Sequence, residues 1–186
     1  MNFDNLIRER ASIKNYSDKK VGEDKILEAI EAATLAPSPG NLSLLKFVII
    51  EEPEKIDKIA QACQQPFIST APVLVVICSD ISQVKIMYDI RAEKYIKTYA
   101  GACIENFLLK ITDMGLASCW VGAFFEPTIK SLLGIPEGID VEAVLPVAYP
   151  AKADKTKQKP KPELINILYF ENYGNKYKEG VIKIKR

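Results

Sequence analysis

The segment from Arg10 to Lys14 places a guanidinium, a hydroxyl and an ammonium at alternate positions of the chain. In an extended backbone alternate side chains point to the same side, so Arg10, Ser12 and Lys14 would face one ligand together. These are the donor types that bind a phosphate monoester, and charged donors make the stronger hydrogen bonds. A solvated basic turn after a first helix has the same pattern. The segment by itself therefore does not decide between the two, and it predicts a phosphate site only if other motifs of such a site are also present.

The amino-acid totals restrict the chemistry that side chains alone can perform. The 186 residues include no histidine, which removes the commonest general base and most transition-metal sites. The four cysteines form no C-x-x-C pair, so we predict buried free thiols and no metal site. We therefore expect a bound organic cofactor to supply the chemistry if the protein is an enzyme.

Charge and hydropathy exclude two kinds of partner. Lys and Arg total 25 against 24 for Asp and Glu, which leaves no general field to attract nucleic acid or an anionic membrane. The apolar runs fall far short of the roughly 20 residues that span a bilayer, and the polar N-terminus does not resemble a signal peptide. We expect a cytoplasmic protein whose residues 1–186 form one domain.

Hydrophobic periodicity predicts a mixed order of helices and strands. Helices are expected over residues 4–10, from 24 to before Pro37, after Pro53, within 82–114 and over 127–133. Strands are expected over residues 46–50, 73–78, 117–121 and 141–148. The second strand lacks polar alternation, which is typical of a strand covered on both faces.

Two further segments have the composition of ligand-binding loops. Residues 36–42 join a helix to a strand and are rich in Pro, Ser and Gly, so they form either a ligand loop or a plain connection. Residues 115–124 place small residues after a strand, where a planar ring can approach the backbone. Trp120 and Phe124 in that segment serve a core equally well.

Together these segments, in this order, resemble the nitroreductase family of flavoproteins over most of the chain. The family's R-x-S-x-[RK] motif, with a following aromatic, is matched by Arg10, Ser12, Lys14 and Tyr16. The remaining motifs are P-S-x-G-N at Pro37, Ser38, Gly40 and Asn41, G-A-x-x-x-N at Gly101, Ala102 and Asn106, and G-L-x-S-C-W-[IV]-G at residues 115–122.

The resemblance implies an α+β fold with a central mixed sheet flanked by helices. It also implies an intertwined homodimer that holds FMN at its interface, with residues 164–186 as an extension that packs on the partner subunit. The apolar residues of that tail, which follow a lysine-rich connection, would then be covered.

The resemblance also assigns roles to single residues. Arg10 and Ser12 would contact the phosphate, and Lys14 would lie at the pyrimidine edge of the flavin, where positive charge stabilises the reduced ring. An amide before the buried strand would bind the ring, and we take it to be Gln65, with Gln64 as the alternative. The other implied cofactor contacts are Pro37, Ser38, Pro39 and Asn41 from the second subunit, Val121, Gly122 and Ala123 beside the reactive N5 and O4 edge, and Lys159 and Lys161 at the phosphate.

The implied activity is that of an FMN-dependent NAD(P)H oxidoreductase. Hydride would pass from NAD(P)H through flavin N5 to nitroaromatics or quinones in a ping-pong mechanism. A flavin-binding protein without turnover, such as a carrier or sensor, and a specialised member catalysing a reaction such as reductive dehalogenation are the alternatives. Residues 42–47 depart from the family's glutamine, proline and aromatic, which leaves substrate preference open. Lysine at positions 14 and 161 keeps the charge but loses the bidentate geometry of arginine.

Overall fold

The computed structural model describes residues 1–151 and 162–175, which belong to two separate compact units. The helices of the first range are α1 (Phe3–Glu9), α2 (Glu23–Thr34), α3 (Pro53–Cys63), α4 (Ser82–Tyr88), α5 (Ala92–Asp113) and α6 (Glu126–Leu133). Its strands are β1 (Leu45–Ile50), β2 (Val73–Asp80), β3 (Ala117–Ser118) and β4 (Ile139–Ala148). Short 3₁₀ turns lie at Pro39–Asn41, Pro66–Thr70 and Asp89–Arg91.

The four strands form one sheet in the order β1-β2-β4-β3, and each neighbouring pair is antiparallel. A parallel contribution comes from the isolated bridge between Ser12 and Ser118. The predicted α+β class is confirmed, and among the described residues the predicted mixed sheet is mixed only through this bridge.

Strand β2 is covered on both faces, as its uninterrupted apolar sequence predicts. Val73, Val75 and Ile77 belong to a core shared with α2 and α5. Leu74, Val76 and Cys78 belong to a second core shared with α3 and α6. Each core removes several large apolar side chains from water, at about 25 cal/mol per Å². The sheet is therefore a rigid platform between two helical layers.

Several element boundaries differ from the sequence prediction. Residues 82–114, expected to be helical, form the two helices α4 and α5, because Asp89 takes a positive φ of 46° at which an α-helix cannot continue. Strand β3 stops at Ser118, earlier than expected, and Val121 makes a separate bridge to Val144 in the same register. Helix α2 ends at Thr34, ahead of the proline-rich loop.

The second described range is short and contains the helix α7 (Leu164–Ile167). The rings of Tyr169 and Tyr173 lie 4.7 Å apart, and the Phe170 amide donates to the Asn175 carbonyl. None of the helices in the described ranges is long and apolar enough to cross a membrane.

Candidate functional site

The segment after α1 is extended and anchored at several points. The Arg10 amide closes α1 by donating to the Leu6 carbonyl, and the Ile13 amide donates to the Ser118 carbonyl over 3.0 Å. Ser12 and Lys14 are exposed, whereas Ile13 between them is half-buried. The structure therefore has the alternating arrangement on which the predicted phosphate site depends.

The Arg10 side chain makes an ion pair with helix α5. Its Nε lies 3.1 Å from Oε1 of Glu105, with the two side chains 31% and 46% exposed. The sequence analysis did not find Glu105. Nothing local in the sequence pairs positions 95 residues apart, although Glu105 directly precedes Asn106 of the recognised G-A-x-x-x-N motif.

Lys14 lies beside the turn that carries the predicted ring-binding amide. Its Nζ is 5.0 Å from the centre of the Phe67 ring, close enough for a cation–π contact. The Tyr16 ring is 6.2 Å from the same Phe67 ring, and the Tyr16 hydroxyl donates to the Ile13 carbonyl. Gln65, half-buried, stands two residues before Phe67. The fold thus brings the N-terminal segment and the Gln65 turn together.

Gln64 and Gln65 both line a cavity of about 290 Å³ at the end of α3. Gln64 has a left-handed backbone with φ of 53°, and the Gln65 amide donates to the Ala60 carbonyl. Because both glutamines line the cavity, Gln65 remains our predicted ring-binding amide and Gln64 remains the alternative.

Beyond β3 the chain presents two backbone amides that have no partner among the described residues. Gly122 and Ala123 are exposed, and neither amide donates a hydrogen bond to another described residue. Val121 before them is buried and held to Val144 in both directions by backbone hydrogen bonds. The two amides are therefore held on a fixed backbone and open to a ligand.

Gly122 has no steric need for glycine within the chain itself. A Cβ placed there would first meet Nε1 of Trp120 at 3.8 Å, an ordinary contact distance. Nearby, the Ser118 hydroxyl is buried without a hydrogen-bond partner among the described residues.

The predicted loop Pro37–Asn41 is a tight turn with a left-handed backbone at two residues. Gly40 and Asn41 have φ of 63° and 55°, and a Cβ on Gly40 would come within 3.0 Å of the Met87 methyl of α4. This close approach explains the glycine. The loop is thus a fixed turn seated on α4.

A cavity of about 420 Å³ separates Pro37, Ser38 and Pro39 from the first half of α5, including Thr98. Ala102 also lines this cavity and stands three residues before Glu105, or about 4.5 Å along α5 at 1.5 Å per residue. Lys159 and Lys161 lie outside the described residues.

A second group of charges, the carboxylate network, lies near the start of β4, whereas β3 pairs with the end of β4. We define it as Ser79, Lys97, Glu126, Lys130, Asp140 and Glu142. Glu142 is only 7% exposed, accepts a hydrogen bond from the Ser79 hydroxyl and pairs with Lys97 at 2.9 Å. Burial alone would lower the pKa of Lys97, but the hydrogen bonds and charges of Glu142 and Asp140 outweigh it and raise the pKa.

Glu126 closes the network on the side of α6. It accepts a hydrogen bond from the Val141 amide at 2.8 Å and pairs with Lys130 at 3.1 Å. Burial would raise the pKa of Glu126, but the Val141 amide and Lys130 outweigh burial and lower it. Every charge in the network has an opposite partner, so the group joins α5, α6, β2 and β4.

The four cysteines are free and buried, as predicted. Burial raises the pKa of Cys63 to about 11, and burial followed by the charge of Glu142 raises the pKa of Cys78 to about 11. A thiol with so high a pKa is a poor nucleophile at neutral pH.

Comparison with known proteins places these features in one family. The family model described as the nitroreductase family matches residues 7–68 and 60–149. A protein of Archaeoglobus fulgidus, whose name pairs NADH dehydrogenase with NAD(P)H nitroreductase, is 31% identical over 78% of this chain and 83% of its own length. The FMN reductase (NAD(P)H) of Bacillus subtilis is 25% identical over 91% of this chain and 73% of its own. A nitroreductase family protein from Clostridium novyi superposes with a TM-score of 0.76 at 26% identity, covering 98% of this chain and 100% of that one.

Proposed function

This chain belongs to the nitroreductase family, and from that premise we propose that it is an FMN-dependent oxidoreductase that uses NAD(P)H. One observation carries the proposal. The exposed donors Ser12 and Lys14, with Arg10, lie on an extended segment that pairs with the strand leading to the open amides of Gly122 and Ala123. The Bacillus subtilis relative named FMN reductase supports the choice of flavin.

The donors of this site fit FMN in kind. A guanidinium and a hydroxyl suit the phosphate, and the Lys14 ammonium suits the pyrimidine edge. The backbone amides of Gly122 and Ala123, which have no partner in the part of the chain that the structure describes, suit ring acceptors at the N5 and O4 edge, and Gln65 supplies a side-chain amide. FMN, when bound, would supply the redox chemistry by accepting hydride at N5 and passing it to the acceptor.

The chain's own part in the reaction is to bind and orient. Phe67 holds the Lys14 ammonium through its ring face, so the positive charge is fixed before the ligand arrives. The backbone hydrogen bonds between Val121 and Val144 hold Gly122 and Ala123 in place at no further entropic cost. Because FMN would supply the redox chemistry and these contacts would only bind and orient it, the proposed reaction does not need a histidine.

We further propose that the working form is an intertwined homodimer. By the family resemblance, the flavin contacts of the loop Pro37–Asn41 would come from a second copy of the chain. Residues 164–186 would extend onto that copy, with Lys159 and Lys161 at the phosphate. Exposed apolar side chains such as Ile167 (57%) and Tyr173 (94%) support this extension. Light scattering coupled to gel filtration tests it, and a monomer with FMN bound would refute it.

Nitroaromatics and quinones are the acceptor classes that we propose, reduced in a ping-pong cycle. Four free buried thiols support a reducing compartment, the cytoplasm. Because residues 42–47 differ from the family pattern, the preferred acceptor has to be found by assaying a panel of nitroaromatics and quinones.

A flavin titration followed by reduction tests the function. The purified protein should be yellow or bind added FMN, and NADH or NADPH should bleach that flavin anaerobically in stopped flow. A colourless protein that ignores added FMN would refute the proposal. Flavin that binds but is not reduced by either nicotinamide would favour the carrier or sensor instead.

A further inference from the structure

Arg10 has a fixed backbone and a long side chain that needs a second anchor. Hydrogen bonds from the Arg10 and Ile13 amides hold the backbone on either side of Ser12. The side chain still has several rotatable bonds, and ordering it on ligand binding costs conformational entropy. Among the described residues, the charged partner of its guanidinium is Glu105 of α5.

We propose that Glu105 is a positioning residue that orients Arg10 for the phosphate of FMN, an inference that rests on the proposed function. The ion pair joins Oε1 of Glu105 to Nε of Arg10, on the inner side of the guanidinium. The two terminal NH₂ groups are the part of the fork that binds a phosphate bidentately. Glu105 therefore contacts Nε and leaves the two terminal NH₂ groups of Arg10 available to the phosphate.

The negative charge of Glu105 has an opposing effect. A carboxylate near a phosphate repels it, so Glu105 can act either as a support or as a competitor for Arg10. Both side chains are partly exposed, so water and salt screen the repulsion, whereas orientation does not depend on screening. Orientation is therefore the dominant effect of Glu105.

Substitution by Ala and by Gln separates support from competition. Glu105→Ala removes both the carboxylate charge and the acceptor oxygen, whereas Glu105→Gln removes the charge but keeps an oxygen that accepts from Nε. A supporting role predicts a loss with Ala and rescue with Gln. A competing role predicts tighter binding with both.

Helix α5 offers a matched control. Lys110 of α5 pairs with Glu28 of α2 at 2.9 Å, with the side chains 32% and 52% exposed. Glu28→Ala therefore breaks an ion pair of similar exposure and removes the same charge, at a place without proposed ligand contacts.

The experiment measures dissociation constants for FMN and for riboflavin, which lacks the phosphate. We expect Glu105→Ala to weaken FMN about threefold, the scale of a partly exposed ion pair, and to leave riboflavin unchanged. Glu105→Gln and Glu28→Ala should bind FMN like the parent. In an Arg10→Ala background Glu105→Ala should add nothing, because the two residues act through one contact.

Other outcomes overturn the inference in distinguishable ways. If Glu105→Ala binds FMN as well as the parent or better, Glu105 does not position Arg10. If it weakens riboflavin equally, its effect is a general one on the fold. If the parent binds neither flavin, the proposed function fails, and the inference with it.

Discussion

The two charge groups of the molecule differ in whether each charge is paired within the group. The carboxylate network sets two lysines against three carboxylates, and each of these charges has a partner. The N-terminal cluster, defined as Arg10, Ser12 and Lys14, has Glu105 as its carboxylate among the described residues. The first group thus satisfies itself, while the second keeps positive charge for a ligand.

Their positions on β4 explain how one sheet serves both. Ser79 of the network pairs with Asp140 near the start of β4, whereas Ser12 bridges to Ser118, which pairs with Val147 near its end. Seven residues of strand separate Asp140 from Val147, roughly 20 Å. We infer that one end of the sheet stabilises the fold and the other binds the ligand, so substitutions should divide between stability and flavin affinity.

The largest expected effect is on stability, in the network. Glu142→Ala removes a nearly buried carboxylate, leaves the Ser79 hydroxyl without its partner and leaves Lys97 with the more distant Asp140 alone. We expect urea denaturation to show a loss of about 2 to 3 kcal/mol. FMN affinity of the folded fraction should not change. Asp140→Ala, at the exposed side of the same lysine, should cost below about 1 kcal/mol. A parallel fall in flavin affinity would show that the two ends are not separate.

The second-largest expected effect is on FMN affinity, in the N-terminal cluster. Arg10→Ala should weaken FMN by about 1.5 to 3 kcal/mol, because a charge-assisted contact to phosphate is lost. Arg10→Lys should recover part of this loss, since it keeps the charge without the fork. Fluorescence titration measures both, and thermal unfolding checks that stability is little affected. An Arg10→Ala protein with parental FMN affinity contradicts the phosphate role.

The sequence predicts the cluster better than the network, for a physical reason. Arg10, Ser12 and Lys14 share a face through a local period of two, which one strand-like segment reveals. Glu142, Lys97 and Lys130 meet only because β2, β4, α5 and α6 pack together, and no short pattern encodes that meeting. The same limit hid Glu105.

Boundaries were less predictable than elements. The buried strand β2 was expected from its apolar run and is observed. The short β3 was not expected, and the break between α4 and α5 depends on a positive φ at Asp89 that the residue type does not specify. The placement of Pro37–Asn41 on α4 was likewise beyond the sequence, which offered only a turn.

Substitution of two glycines should give smaller effects, one on FMN binding alone and the other on stability alone. Gly122→Ala should leave stability unchanged, because its Cβ has room, yet it should weaken FMN several-fold if a ring lies against this backbone. Gly115→Ala should do the opposite, costing about 1 kcal/mol because φ is 69° there, with no change in FMN binding. Denaturation and flavin titration of both variants measure the pattern. Equal effects of the two substitutions on FMN binding would contradict the proposed backbone contact.

The smallest effect is the pH dependence of the network. The pKa of Glu126 is lowered on folding, so its contribution to stability is complete above its ordinary pKa of 4.5 and is lost as the pH falls through the folded value. The pKa of Lys97 is raised, so its contribution is complete below 10.5 and is lost as the pH rises through the folded value. Both contributions are present between about pH 5 and pH 10. Glu126→Gln keeps an acceptor for the Val141 amide but cannot ionise, so it should flatten the acid limb of stability by about 0.5 kcal/mol while leaving the alkaline limb alone. Urea denaturation at pH 3.5, 7 and 11 measures this, and an unchanged acid limb would mean that ionisation of Glu126 does not contribute to the stability of the fold.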